Sequence, residues 1–232
     1  MGYRDIFKSK HTFLAVIHSE SAEQSLRNTE IAKANGADGV FLINHKMSAD
    51  DLFSVYRAVR EAYPDFWIGL NCLDLSPLRM FRVVSGCVSG VWSDNAGFGE
   101  LENDPLLAVK LSWKAREERS DWNGLYFGGV AFKYQKNVYD ATYVAWLVMP
   151  YLDVVTTSGD ATGSPPLVSK IKRMKKAIGD FPLAIASGMA PENVSEFMPH
   201  ADCFFVATGI SKSFTELDAE RVSRFAKAIQ KK

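Results

Sequence analysis

Short apolar runs recur along the chain, each followed by a segment whose apolar positions fall three and four residues apart. Eight of these runs predict buried strands, at 13–17, 39–43, 67–70, 90–92, 125–131, 153–157, 183–186 and 204–207. Several are apolar at every position. That suits parallel strands covered on both faces better than half-exposed antiparallel ones. The intervening segments read as helices. Within 48–63, Leu52, Val55, Tyr56 and Val59 share one helical face, and Val222, Phe225, Ala226 and Ile229 repeat the spacing near the end.

Helix start signals agree with this division. Ser21 and Gln24 have capping-box spacing, and Ser76-Pro77 and Ser164-Pro165 set a capping hydroxyl before a proline suited to a first helical turn. Ala190-Pro191 is a weaker version of the same device. A loose repeat also appears: 35–38, 151–153 and 200–202 each end in Asp just before an apolar strand. Eightfold strand–helix alternation has two main solutions, a closed barrel and an open doubly wound sheet. The open sheet calls for a glycine fingerprint after the first strand. Here that turn is His18-Ser19-Glu20-Ser21-Ala22, without glycine. The expected fold is therefore α/β, a single (β/α)8 TIM barrel with a parallel, closed, eight-stranded sheet, spanning residues 1–232 as one domain. Such barrels run to about 250 residues.

Charge narrows the range of partners. Lys plus Arg and Asp plus Glu each number 27, so the formal charge is zero. Broad attraction to nucleic acid or to an anionic membrane is not expected. The densest basic stretch, Lys170 to Lys176, is interleaved with Ile171 and Met174 and reads as a solvated helix face. The three cysteines, Cys72, Cys87 and Cys203, form no CxxC pair and give no zinc signal. Two of them lie in or beside predicted strands and read as buried small hydrophobes. No apolar stretch approaches the ~20 residues of a membrane span, and the N-terminus lacks a signal-peptide core. The expected location is cytoplasmic. No metalloprotease, P-loop, nucleophile-elbow or EF-hand pattern occurs. No cofactor and no metal site follow from spacing, and a divalent metal is left open. So is self-association as a homo-oligomer.

In a barrel of this type the chemistry sits at the C-terminal ends of the strands. Polar groups follow nearly every predicted strand: His18, Asn44 with His45, Asn71, Asp94 with Asn95, Lys133, Ser158 with Asp160, Ser187 and Thr208. Asp94 is the first choice for general acid/base work, with a turn cap as its alternative. Lys133 suits an anionic substrate, with a Schiff base as the second option. His18 suits proton transfer or a bond to a rim carbonyl. Asn44 and His45 should point oppositely, so that only one faces the mouth; Asn44 is taken as the binding residue. Asn71 and Asn95 complete the polar ring. The last three loops carry Ser158-Gly159 and Gly163, Ser187-Gly188, and Thr208-Gly209. Glycines let backbone approach an anion, and barrels often bind phosphate after strands seven and eight.

Two stretches also resemble a known family. Residues 153–159 with 161–166, and 186–194 followed by 201–210, resemble the BtpA family of barrels. Segments 186–194 and 201–210 are similar to the phosphate end of the ribulose-phosphate-binding barrels, which include phosphoribosylanthranilate isomerase. The opening Ala15-Val16-Ile17-His18 is similar too, although Ser19-Glu20-Ser21 stands where BtpA-like sequences carry a Pro-rich loop. The resemblance implies a barrel with a phosphate site. Family members are linked to photosystem I biogenesis, or labelled as nucleosidases or phosphoribosyltransferases. Two functional expectations follow. One is a phosphate-binding enzyme acting on a phosphorylated sugar or phosphoribosyl compound, with Asp94, Lys133 and His18 as its catalytic set. The other is a non-catalytic assembly factor that keeps the barrel and presents aromatics from 113–122, with Tyr126, and from 134–146 to a partner.

Overall fold

In the computed structural model, residues 2–101, 103–135, 138 and 140–230 are described. Every predicted apolar run overlaps a strand. The strands are β1 (Thr12–Ser19), β2 (Gly39–Asn44), β3 (Trp67–Asn71), β4 (Gly90–Ser93), β5 (Leu125–Gly129), β6 (Val154–Ser158), β7 (Leu183–Ala186) and β8 (Cys203–Val206). They pair in parallel in sequence order, and β8 closes on β1 with Phe13 opposite Phe204. The (β/α)8 barrel read from the sequence is the fold observed. β5 ends two residues before its predicted limit. Ala131, at φ 48, has already left extended backbone.

Period-two alternation divides the strand residues between two cores. Phe13, Ala15 and Ile17 face outward to the helices, while Leu14 and Val16 face the barrel axis. The axis is filled by Phe41, Trp67, Trp92, Phe127 and Phe205, with ring centroids 4.8–5.9 Å apart. It is a packed core rather than a pore. The bottom is plugged by α1 (Tyr3–Ile6) and Phe7. The Tyr3 hydroxyl donates to Thr12 Oγ1 at 2.7 Å, and Phe7 lies 5.5 Å from Trp67.

Around the sheet run α2 (Ala22–Ala34), α3 (Ala49–Ala62), α4 (Pro77–Val83), α5 (Leu107–Glu117), α6 (Ala141–Val148), α7 (Val168–Ile178), the short α8 (Val194–Phe197) and α9 (Ala219–Gln230). Their buried residues include the faces marked by sequence periodicity: Leu52, Val55, Tyr56 and Val59 on α3, and Val222, Phe225, Ala226 and Ile229 on α9. No helix among the described residues is long and apolar enough to cross a membrane. Cys72 and Cys203 are buried and Cys87 is exposed.

The repeated Asp before a strand has a common physical use. Asp38 accepts the Phe13 amide at 2.7 Å, Asp153 the Tyr126 amide at 2.7 Å, and Asp202 the Leu183 amide at 3.0 Å. Each carboxylate satisfies a donor at the start of the preceding strand, where the ladder has not yet begun. Burial pushes the Asp38 and Asp153 carboxyls up. Arg116, 2.6 Å from Asp153, opposes that shift.

The helix starts differ in part from expectation. Ser21 accepts the Gln24 amide and Ser76 the Arg79 amide, as their spacing predicts. The Gln24 side chain does not close the box on Ser21. Its oxygen takes the Glu20 amide, and its nitrogen reaches the Thr215 carbonyl. Ser164-Pro165 caps nothing, because α7 begins only at Val168. That segment packs against Gly159 and Gly188 instead. Pro191 likewise precedes α8 by a turn, with Asn193 at its cap. The basic stretch on α7 is solvated only in part. Lys175 reaches Asp202 at 2.7 Å, and Lys170 is bound to two carbonyls at the mouth.

Candidate functional site

The C-terminal ends of the strands enclose a cavity of about 420 Å³. This lies within the ~300–1,000 Å³ of ordinary small-molecule sites. Its floor is the top layer of the barrel core, including Val16, Ile43, Trp92, Ala186 and Phe205. The residue two positions beyond an inward-facing strand residue faces inward again. Val16 leads to His18, Ile43 to His45, and Trp92 to Asp94, and all three polar groups line the cavity. Lys133, Tyr134, Thr162, Gly163, Ser187, Gly188, Thr208 and Phe214 supply most of the remaining wall. The Trp92 indole N–H, on the buried floor, has no acceptor among the described residues.

The expected catalytic trio is therefore gathered in one place. Asp94 is held by Asn71, whose Nδ2 donates to Oδ1 at 3.0 Å. Burial raises the Asp94 carboxyl above the usual carboxylate range, and the Asn71 bond and the Lys133 charge oppose this in part. β5 leaves room for this strand end. A Cβ on Gly129 would stand 2.0 Å from the Asp94 carbonyl oxygen, so only glycine fits there. Lys133 Nζ donates to Thr162 Oγ1 at 3.2 Å, and its amide donates to Ser158 Oγ at 2.7 Å. His18 Nδ1 bonds the Phe214 carbonyl at 2.9 Å. Burial, the adjacent His45 and the Lys133 charge bring the His18 pKa down to about 4, despite that bond. Burial and Lys133 lower His45 as well. Both imidazoles are consequently neutral at physiological pH.

The binding candidates separate into two groups. Gly163, Ser187, Gly188 and Thr208 line the cavity. Ser187 and Gly188 are both in the left-handed region, at φ 76 and 68. A serine there is strained by about 1–3 kcal/mol, a cost that recurs at functional sites. The Asn193 side chain fixes the turn, donating to the Gly188 carbonyl at 2.8 Å and accepting the Ala190 amide at 2.9 Å. Gly188 has a packing role too. A Cβ there would lie 2.1 Å from the Pro165 nitrogen. Gly209 is turned away from this cavity, into a neighbouring hollow beside Thr208, Glu192, Arg221 and Arg224. A Cβ on Gly209 would meet the Met189 carbonyl oxygen at 2.1 Å, so the two glycines bring the loops after β6, β7 and β8 together.

The remaining candidates support the walls. Asn44 is buried outside the barrel. It donates to Asp74 Oδ1 and the Met47 carbonyl and accepts the Leu73 amide. The expected preference for Asn44 over His45 is thus reversed in placement. Alternation puts Phe41, Ile43 and His45 on the inner face, and Leu42 and Asn44 on the outer. Asn71 reaches the site only through Asp94. Asn95 bonds Glu100, Gln135 and the Gly97 amide in the loop after β4. The Ser158 hydroxyl is fully buried between the Lys133 amide and the Gly159 carbonyl, and Gly159 packs against Ser164 and Pro165. Lys170, read from the sequence as part of a solvated helix face, ties Ala131 and Ser158 through their carbonyls at 2.7 and 2.8 Å. Burial lowers its pKa to about 8.

No group of three or more His, Cys, Asp or Glu among the described residues is arranged to hold a metal. A second hollow, about 470 Å³, opens at the opposite end of the barrel beside Lys8, Asp38 and Arg60. Its arginine already donates to the Tyr63, Pro64 and Phe66 carbonyls and to Ser89 Oγ. That guanidinium ties the α3–β3 connection and is not offered to a ligand.

With this geometry in view, comparison with known proteins is informative. (S)-3-O-geranylgeranylglyceryl phosphate synthase from Thermoplasma acidophilum, solved with sn-glycerol-1-phosphate, superposes with a TM-score of 0.70 and 17% identity, covering 99% of each chain. Phosphoribosyl anthranilate isomerase from Thermus thermophilus gives a TM-score of 0.63 and 15% identity, covering 94% of this chain and 97% of the other. At such identities the likeness is one of fold. An uncharacterised protein of Pyrococcus abyssi is 33% identical over 81 residues, which is 34% of this chain and 31% of that relative's length. Residues 136–231, the part of the chain that carries β6 to β8 and their loops, match the model of the BtpA family.

Proposed function

We propose that the mouth binds a phosphorylated sugar or phosphoribosyl compound and performs general acid/base chemistry on it through Asp94. One observation carries this reading: Asp94, Lys133 and the turns at Gly163, Ser187-Gly188 and Thr208 converge on a single cavity at the catalytic end of the barrel. The phosphate would lie against the loops after β6 to β8, where Ser187 and Thr208 add hydroxyl donors. Lys133 would balance negative charge that develops in the transition state. A buried carboxyl with a raised pKa can both take and return a proton near neutral pH. Isomerisation, glycosidic cleavage and phosphoribosyl transfer would each suit such a set.

The test is a thermal-shift series with inorganic phosphate, ribose 5-phosphate and phosphoribosyl pyrophosphate. A ligand at 100 times its Kd adds about 2.7 kcal/mol of stability. Binding that disappears in Thr208→Glu supports the assignment. Folded protein that responds to none of the three sinks it. A second reading, a non-catalytic assembly factor, draws on the outer surface. Tyr143 and Trp146 on α6 are 55% and 51% exposed, and Leu107, Leu111 and Trp113 on α5 are partly exposed as well. A stable partner captured through α6, with no phosphorylated ligand bound, favours that alternative.

A further inference from the structure

The strand ends on the Lys133 side of the mouth are fastened from outside the barrel. Val130 still donates its amide to the Thr156 carbonyl at 2.8 Å, and the chain then turns out of the sheet at Ala131, whose φ of 48 is left-handed. Residues with a Cβ seldom hold that conformation. The turn takes the Ala131 carbonyl out of the ladder, and the Ser158 carbonyl stands at the end of β6. One donor group, the Lys170 ammonium of α7, takes both, at 2.7 and 2.8 Å. Thr157 Oγ1 adds a longer bond to the Ala131 carbonyl, at 3.3 Å.

Ser158 is also the anchor of the next stretch. Its hydroxyl accepts the Lys133 amide at 2.7 Å, and the Lys133 ammonium reaches across to Thr162 Oγ1 at 3.2 Å. The chain is thus held at Ala131 and again at Lys133. Phe132, between them, packs on Trp92 of the cavity floor with ring centroids 6.0 Å apart. A hydroxyl has one hydrogen to give and could hold one of the two carbonyls; an ammonium has three. Burial lowers the Lys170 pKa to about 8, and the Asp160 charge opposes this in part. Desolvating an ammonium serves no purpose on a solvated helix face, where the charge could stay in water.

We propose that Lys170 is a positioning residue: by holding the Ala131 and Ser158 carbonyls from α7, it sets the loop after β5 so that the Lys133 ammonium stands in the mouth. The Lys133 charge is felt there. After burial, it is the other influence that lowers His45, and it acts in the same sense on His18 and Asp94. His45 therefore reports where Lys133 stands, with or without a ligand. The consequence for ligand binding rests on the reading that Lys133 serves a phosphorylated ligand.

The experiment is NMR titration of the imidazoles in the intact protein, in Lys133→Met, Lys170→Met and Lys170→Arg, and in the variant carrying both methionines. Each is first checked by its melting curve. Lys133→Met is expected to move the His45 titration to higher pH, since a neighbouring positive charge is gone. Lys170→Met should move it the same way, the double variant no further than Lys133→Met, and Lys170→Arg should hold it in place. His11, bonded to the Ala201 carbonyl at the start of β1, stays unmoved throughout. Should Lys170→Met fail to fold, Lys170→Gln takes its place. Three results overturn the proposal: no shift in Lys133→Met, no shift in a folded Lys170 variant that lacks the ammonium, or shifts that add in the double variant. Calorimetric titration with ribose 5-phosphate separates this from the phosphate reading. Affinity should fall by about tenfold in Lys133→Met and in Lys170→Met alike. No binding by the intact protein, with the His45 shifts as expected, overturns the phosphate reading and upholds the role of Lys170.

Discussion

Asn71 Nδ2 donates to Asp94 Oδ1 across 3.0 Å, from the end of β3 to the end of β4. The bond holds one carboxylate oxygen, and it works against the burial that raises the pKa of the group. Replacing Asn71 with Leu removes the opposing influence. The acidic limb of the pH–rate profile is then expected to move to higher pH, with a fall in kcat larger than any change in KM. A profile that stays in place would show that Asn71 does not tune Asp94.

Asp94→Asn separates chemistry from folding. Removing a proton-transferring group typically costs 10²–10⁴-fold in rate. A buried carboxylate is also a liability for stability, since folding disfavours its charged form. The variant is therefore expected to lose at least about 100-fold in kcat while melting at the same temperature or a few degrees higher. A drop in melting temperature alongside retained turnover would remove Asp94 from the catalytic role.

Thr208 is exposed on the wall that would receive phosphate, so Thr208→Glu places a negative charge there without disturbing a packed core. Affinity for phosphorylated ligands is expected to fall by roughly 10–100-fold, consistent with about 1–3 kcal/mol for one charge opposed near a surface. The loss should shrink at high salt, because screening weakens an exposed pair. Unaltered binding would move the phosphate away from the loops after β7 and β8.

Gly188 makes the opposite kind of probe. Its φ of 68 and the close Pro165 backbone leave no space for a side chain. Gly188→Ala is expected to destabilise the protein by about 2–4 kcal/mol, from backbone strain together with overpacking. Chemical denaturation measures this directly. A near-neutral effect would mean that the loops after β6 and β7 can part easily.

His18 gives the site a pH dependence. Burial holds the folded His18 pKa at about 4, below the ordinary 6.5 of a free imidazole. Between these values the unfolded chain binds the proton and the folded one does not, so stability is full above 6.5 and falls as the pH drops toward 4. The loss is on the order of 2–3 kcal/mol, allowing for partial exposure of the ring. Melting curves at pH 7 and pH 4.5 should diverge more for the intact protein than for His18→Gln. Equal divergence would assign the acid sensitivity to other groups.

The sequence alone determined the strands and the closed order of the barrel. A buried parallel strand must be apolar on both faces, and a covering helix must be apolar on one, so both patterns are written in the residues themselves. The same reasoning marked Asp94, Lys133, His18, Ser187, Gly188 and Thr208, because the ends of eight strands point to one mouth. The alternation of Phe41, Ile43 and His45 carried the signal for His45 as well, but the sequence reading favoured Asn44. Only the tertiary structure decided the rest. Asn44 and Ser158 are equally polar in sequence, but their loops turn them to backbone partners. Phe214 lies 196 residues from His18, and nothing local marks it. Lys170 reads as one more surface charge until the carbonyls of Ala131 and Ser158 are brought to its ammonium. Local pattern fixes which face of an element is buried; which polar group meets which across the mouth depends on loop paths, and those are set by contacts between distant parts of the chain.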